Sequence, residues 1–370
     1  MASPVPISTR CIGENIMKKW IASVTTLLCC LLTLVAFWPN TTSAQGQTLN
    51  LYIWSEYIDP DILTAFEQET NSRVVVSLYE SNEDMVAKLR GGGVSQYDIV
   101  VPTDYIVPTM LELGLLQPLN KDLIPNFSNL GEKFVSLPFD PEDTYTVAYQ
   151  WGTTGIGYRK DRLPEDFERS WGLIFDPAQQ QGPFVMIDEM RTLIGSAALY
   201  LGFDMNTTLP AELRQIQQLL IESKRRSAGL IGGVGGKNQL VSGTANVAMV
   251  YSGDALQAAE ENPEIGYFIP KEGASIWLDT LAIPAQAPHP ELANRFINFI
   301  LDAEVGAQLS NYNRFATPNA AALLGINPED RQNPAIYPDE ATLAKLTYFR
   351  PLSGQEMRLL DALWTGVKSS

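Results

Sequence analysis

Five short stretches set aromatic rings, hydroxyls and carboxylates side by side: Trp54-Ser55-Glu56-Tyr57, Thr103-Asp104-Tyr105, Asp188-Glu189, Tyr251-Ser252-Gly253-Asp254 and Trp277-Leu278-Asp279. Together they have the parts of a box for an alkylammonium ligand. Carboxylates would hold its charged ends through charge-assisted hydrogen bonds, and ring faces would cover its methylenes and add cation–π attraction. Each stretch alone has a plainer reading. A Trp at a strand end usually packs into a core, and Asp188 stands where an acid caps a helix. Five such stretches in one acidic chain favour the box.

Other chemistry finds little footing. The single histidine, His289, lies in Ala287-Pro288-His289-Pro290 at the apparent start of a helix, which suits a surface turn, and no second histidine exists to share a metal. The run Gly232–Lys237, GGVGGK, lacks the upstream glycine of a phosphate loop and is followed by Asn238 rather than Ser or Thr; Gly152–Gly157, GTTGIG, lacks the dinucleotide pattern. No cofactor, metal or catalytic residue is expected.

The box residues need elements to hold them. Leu49–Trp54 alternates like a strand; Asp59 caps a following helix with Pro60 at its first position and Ile62, Leu63 and Phe66 on its apolar face. Arg73–Leu78 is the next strand, Ser81 and Asn82 can cap a helix to about Arg90 ended by Gly91–Gly93, and Tyr97–Pro102 is a third strand. Successive strand–helix units imply a parallel sheet, and ligands bind such sheets at the strand ends. The alternation resumes with a strand over Phe184–Ile187, helices through Leu201 and over Pro210–Ser223, and strands around Val247–Tyr251 and Ile265–Ile269. The expected class is α/β, with a second α/β lobe in the second half.

Among 370 residues, 42 acidic side chains face 26 basic ones, for a formal charge of −16. That balance repels phosphate backbones and anionic lipid, so nucleic acid and membrane surfaces are poor partners and cationic ones are favoured. The three cysteines, Cys11, Cys29 and Cys30, all lie in a segment that reads as a secretory leader. Lys18 and Lys19 precede the apolar run Val24–Phe37, and Thr42-Ser43-Ala44 supplies small residues for cleavage. Residues 1–44 are therefore read as an upstream segment plus signal peptide, with Met17 as the working start and export to the periplasm. Its removal leaves 23 basic and 41 acidic residues, a formal charge of −18 and no cysteine. Thiol catalysis and thiolate-bound metals are thereby excluded from the mature chain, and stability must come from packing.

The stretches LYIWSEYIDPDILTAFEQET, LYESNEDMVAKL and YDIVVPTDYIV resemble the spermidine/putrescine-binding proteins of bacterial ABC uptake systems. The similarity continues in order through NFSNL, FVSLPFDPEDTYTVAYQWGTTGIGY, NVAMVYSGDAL, SIWLDTLAIPA, ATPNAA and IYPD. The resemblance implies a two-lobed type II periplasmic binding fold with two crossovers: lobe 1 over 47–152 and 278–323, lobe 2 over 153–277 and 324–370. It implies a monomer that closes over a polyamine, without chemistry, and presents it to a membrane permease.

Carried over by local motif, Trp54, Ser55, Glu56 and Tyr57 match first-strand ligand contacts, and Thr103 and Tyr105 match a Ser and a Tyr that touch the ligand. Glu189 falls where the family has an Asp, Tyr251 replaces a Trp, and Trp277 and Asp279 match the stacking Trp and the main amine-binding carboxylate. Four positions depart from the spermidine pattern: Thr192 for a Glu, Gly233 for a Ser, Phe315 for a Tyr and Phe349 for a Gln. They remove polar groups from the pocket and leave the ligand's length and charge open. A different small cation or zwitterion, such as an amino acid derivative, is the second reading. An exported enzyme on the same scaffold is the third, and it has neither a thiol nor paired histidines to work with.

Overall fold

The computed structural model describes Met1, Ser3 and residues 46–370; the leader and the cysteines lie outside the described residues. The strands are β1 (Thr48–Trp54), β2 (Arg73–Tyr79), β3 (Ile99–Val100), β4 (Thr146–Arg159), β5 (Phe184–Ile187), β6 (Leu230–Ile231), β7 (Val247–Tyr251), β8 (Ile265–Phe268), β9 (Ala274–Ala282) and β10 (Leu346–Thr347). They form one path in the order β2-β1-β3-β9-β4-β7-β5-β6, with β10 beside β9 and β8 beside β4.

The expected opening units form as read. β1 runs parallel to β2 from Thr48 opposite Arg73 to Trp54 opposite Tyr79, and parallel to β3 through Leu51 and Ile99. Asp59 caps the helix Pro60–Thr70 by accepting from Asp61 N, and Ser81 caps Asn82–Arg90 by accepting from Asp84 N. The third strand is shorter than its apolar run. Asp98 turns its carboxylate onto the backbone N–H of Asn50, and Pro102, which has no N–H to give, still accepts from Thr280 N on β9, so the regular ladder is confined to Ile99–Val100. The same Asp98 accepts from His289 N at 2.6 Å, which anchors the turn before the helix Pro290–Ile300.

Two apolar cores flank the site. Leu49, Leu51, Ile53, Phe66, Ile99, Phe296 and Ile297 anchor the first, and Ile156, Trp171, Phe184, Leu193, Ile216 and Val247 the second. Phe66 and Phe296 meet edge to face at 5.0 Å, and truncating such a buried ring to Ala costs about 3–5 kcal/mol. The cores are joined by two strands. β4 pairs with β9 from Thr146 to Thr153 and with β7 from Thr154 to Tyr158, while β9 runs back from Ala274 to Ala282. The C-terminal segment then passes along β9 as β10, and its helix Gly354–Lys368 buries Leu360, Leu363 and Val367 in the second core. The return to the second core expected at residue 324 falls later. Ile326 packs with Ala307 and Ala322, and Ile336 belongs to the first core, because the helix Ala303–Asn313 and the turn that follows it hold 321–337 on that side.

Candidate functional site

The ends of β1, β3, β5 and β7, and the middle of β9, open onto one cavity of about 80 Å³ between the cores. A water needs about 10–15 Å³ on this measure, so the space is a slot for a thin molecule rather than a bay. Trp54, Ser55, Tyr57, Thr103 and Tyr105 line it from the first-core side, and Glu189, Thr192 and Tyr251 from the second. Trp277, Asp279, Phe315 and Phe349 line it as well.

Asp279 is 5% exposed, and its Oδ1 accepts from Thr103 Oγ1 at 2.6 Å. Asn82 Nδ2 in turn donates to Thr103 Oγ1 and to Tyr105 Oη, each at 3.0 Å, so the lone pairs of both hydroxyls are oriented by one amide. Burial pushes the Asp279 carboxyl up to about 7, against the downward pull of the Thr103 and Tyr57 hydroxyls. Tyr57 Oη feels that carboxylate yet makes no hydrogen bond of ordinary geometry, which leaves a buried donor free.

Rings form the walls. Trp277 meets Tyr251 at 5.6 Å and Phe315 at 5.2 Å, both edge to face, and Phe315 meets Tyr57 at 5.3 Å. Trp54 Nε1 and Tyr79 Oη both donate to the Val101 carbonyl, at 3.0 and 2.5 Å, which fixes the Trp54 ring at the end of β1. Gly152 on β4 makes room for Trp277: a Cβ there would come within 2.7 Å of the indole.

Away from Asp279, Glu189 follows β5 and caps the helix Met190–Tyr200, accepting from Arg191 N at 3.1 Å and Thr192 N at 2.6 Å. Across from it, Glu83 on the helix Asn82–Arg90 accepts from Tyr105 Oη at 3.4 Å; burial first, and the Glu189 charge second, push its carboxyl up to about 7. The Arg191 guanidinium lies 5.0 Å from the Tyr105 ring centre and 4.9 Å from that of Phe349. A third acid in the lining, Asp254, is pushed up to about 7 by burial.

Two expectations fail. Glu56 does not line the slot: it sits at φ 52°, and its carboxylate forms an ion pair with Lys237 instead. Asp188 does not cap the helix that follows it, because Glu189 takes the capping geometry while Asp188 pairs with Lys368 at 2.5 Å. The departures at 192, 233, 315 and 349 all lie in the lining. Gly233 has φ 49°, and a Cβ on it would strike the Glu80 carboxylate that accepts from Ser55 Oγ at 3.0 Å.

Asn82 and Glu83 carry no mark of a site in the sequence, and Asp254 stands in a box stretch without being singled out. Asn82 reads as a cap and Glu83 as an ordinary first-turn acid, whereas Asp254 was visible in its aromatic stretch. Among the described residues no group of three or more His, Cys, Asp or Glu side chains converges to hold a metal ion. Among them, too, no helix is long and apolar enough to cross a membrane.

The family of bacterial extracellular solute-binding proteins matches residues 61–338. The chain is 35% identical over 298 residues to the spermidine/putrescine-binding periplasmic protein of Escherichia coli, covering 80% of this chain and 85% of that one. It is 34% identical over 349 residues to a putrescine-binding periplasmic protein of Pseudomonas aeruginosa, covering 88% and 93%. A solved structure from Listeria monocytogenes, assigned to a spermidine/putrescine ABC transporter, superposes with a TM-score of 0.82 at 34% identity, over 87% of this chain and 99% of that one.

Proposed function

Because the chain belongs to the bacterial extracellular solute-binding proteins, we propose that it captures a polyamine in the slot between its two lobes and delivers it to an ABC permease. One observation carries this reading. The slot is lined by the carboxyl groups of Glu189, Asp254 and Asp279, and by no Lys, Arg or His, which suits a cationic ligand. Ring faces of Trp54, Trp277, Tyr251 and Phe315 suit the methylenes between ammonium groups. A zwitterion would bring a carboxylate with no cation in the lining to meet it, which weighs against an amino acid derivative. The lining offers neither thiol nor imidazole, so the slot is read as one that binds without reacting.

Capture is a population shift. Contacts to both lobes favour the closed arrangement, and the permease would bind that form. Cross-lobe pairs are already in place: Gln257 Nε2 donates to the Asn313 carbonyl at 2.9 Å, and Arg314 pairs with Glu260. Export through cleavage after Ala44 places the mature chain in the periplasm, as a monomer starting at Gln45, and N-terminal sequencing of exported material checks the cleavage. The function is tested by calorimetric titration of the mature protein with putrescine, spermidine and a neutral diol of equal length. Binding of the amines alone is expected; binding of neither amine would overturn the proposal.

A further inference from the structure

Lys237 ends the GGVGGK run that fits no phosphate-binding pattern, on the short helix Gly235–Val241. Only 5% of it is exposed, which is rare for a lysine. Its Nζ forms the ion pair with Glu56 and donates to Gln257 Oε1 at 3.2 Å. It also sits close enough to Asp254 to draw that carboxyl downward against burial, while Glu56 pushes it up. One buried ammonium thus stands behind the end of the slot where Asp254 lies and takes Glu56, a residue expected to face ligand, out of the lining. The arrangement is that of an alkylammonium held by one carboxylate and an amide oxygen, with the carboxyl of Asp254 within electrostatic reach and the alkyl chain supplied by the protein.

Resting on the polyamine reading above, we propose that Lys237 is a resident ammonium that occupies the place of a ligand amine, closing the Asp254 end of the slot to a further ligand charge. A diamine can use the acids elsewhere in the slot. A triamine extended toward this end would set its own ammonium against that of Lys237, with Glu56 already engaged. Repulsion against the longer ligand, rather than better contacts to the shorter one, then sets the preference.

The experiment compares putrescine and spermidine affinities of the parent, Lys237→Ala and Glu56→Gln by calorimetry, with thermal unfolding of each to verify folding. Lys237→Ala frees both the space and Glu56, and the spermidine-to-putrescine affinity ratio is expected to rise at least tenfold. Glu56→Gln leaves the ammonium without its main partner, and the same ratio is expected to fall. If Lys237 only latches the lobes, Lys237→Ala weakens both ligands in parallel and leaves the ratio unchanged, which overturns the proposal. An unchanged ratio in Glu56→Gln does the same should Lys237→Ala fail to fold. A parent that binds neither amine refutes the polyamine reading itself, an outcome seen before any variant is made.

Discussion

Replacing Asp279 with Asn separates the charge of this residue from its shape, since Oδ1 can still accept from Thr103 Oγ1. A hydrogen bond to a charged partner is worth about 1.5–3 kcal/mol, so loss of the charge should weaken a bound amine about 10–150-fold. The size of that loss depends on pH in a way the structure fixes. With the carboxyl at about 7, roughly nine in ten parent molecules are ionised at this site at pH 8 and one in ten at pH 6. Parent affinity should therefore drop about tenfold between those values through this group alone, and the gap between parent and Asp279→Asn should narrow by the same factor.

Stability moves the other way. The folded carboxyl holds its proton up to about 7 while the unfolded chain releases it near 3.8, so raising the pH from 4 to 7 weakens the ligand-free fold, by an upper limit on the order of 4 kcal/mol. Asp279→Asn escapes that cost. Without ligand it should melt higher than the parent at pH 8 and level with it at pH 4. Calorimetric titrations at pH 6 and 8, with melting curves at pH 4 and 8, measure all four quantities. A parent-to-variant gap of equal size at pH 6 and 8, or no gap at pH 8, would refute the reasoning.

Glu83→Gln removes the acid facing Glu189, and putrescine or spermidine affinity at pH 8 should fall at least threefold by calorimetry if an amine sits between the two; unchanged affinity places the amine elsewhere. Thr192→Glu puts a second acid beside Glu189 in the lining, and should strengthen spermidine more than putrescine, by on the order of 1 kcal/mol. An equal or smaller gain for spermidine would remove position 192 from the site. Gly152→Ala drives a methyl group toward the Trp277 indole; the expected outcome is at least a tenfold loss of polyamine affinity and a shifted tryptophan emission, and a variant that binds like the parent would show that the ring is free to move.

What was legible in the sequence follows from periodicity and end signals. β1 and β2 alternate or carry β-branched runs, and Asp59-Pro60 and Ser81 mark helix starts by chemistry that needs no tertiary context. β4 carries no such mark. Thirteen of its fourteen residues are buried, so both faces look alike, and its three glycines weaken any strand signal although neighbouring side chains demand them. The second core's late C-terminal return was hidden because only tertiary contacts tell which side holds Ile336. In the site, rings and acids next to strand ends were visible as local stretches. The partners of Glu56 and Glu83 were not: one is a lysine 181 positions later and the other an acid on a different element, and spacing along the chain carries no trace of either.

Trp277 and Asp279 lie on β9, one of the two strands that join the lobes, and Gly152, under the indole, lies on the other. On the polyamine reading, an opening of the lobes would flex the same strand pair that carries Asp279 and Trp277, the residues proposed to meet the ligand. Sensor and hinge are then one piece, and no relay is needed between them. The lifetime of the complex should follow the flexing of this strand pair, so stiffening it ought to lengthen residence time and slow hand-over together.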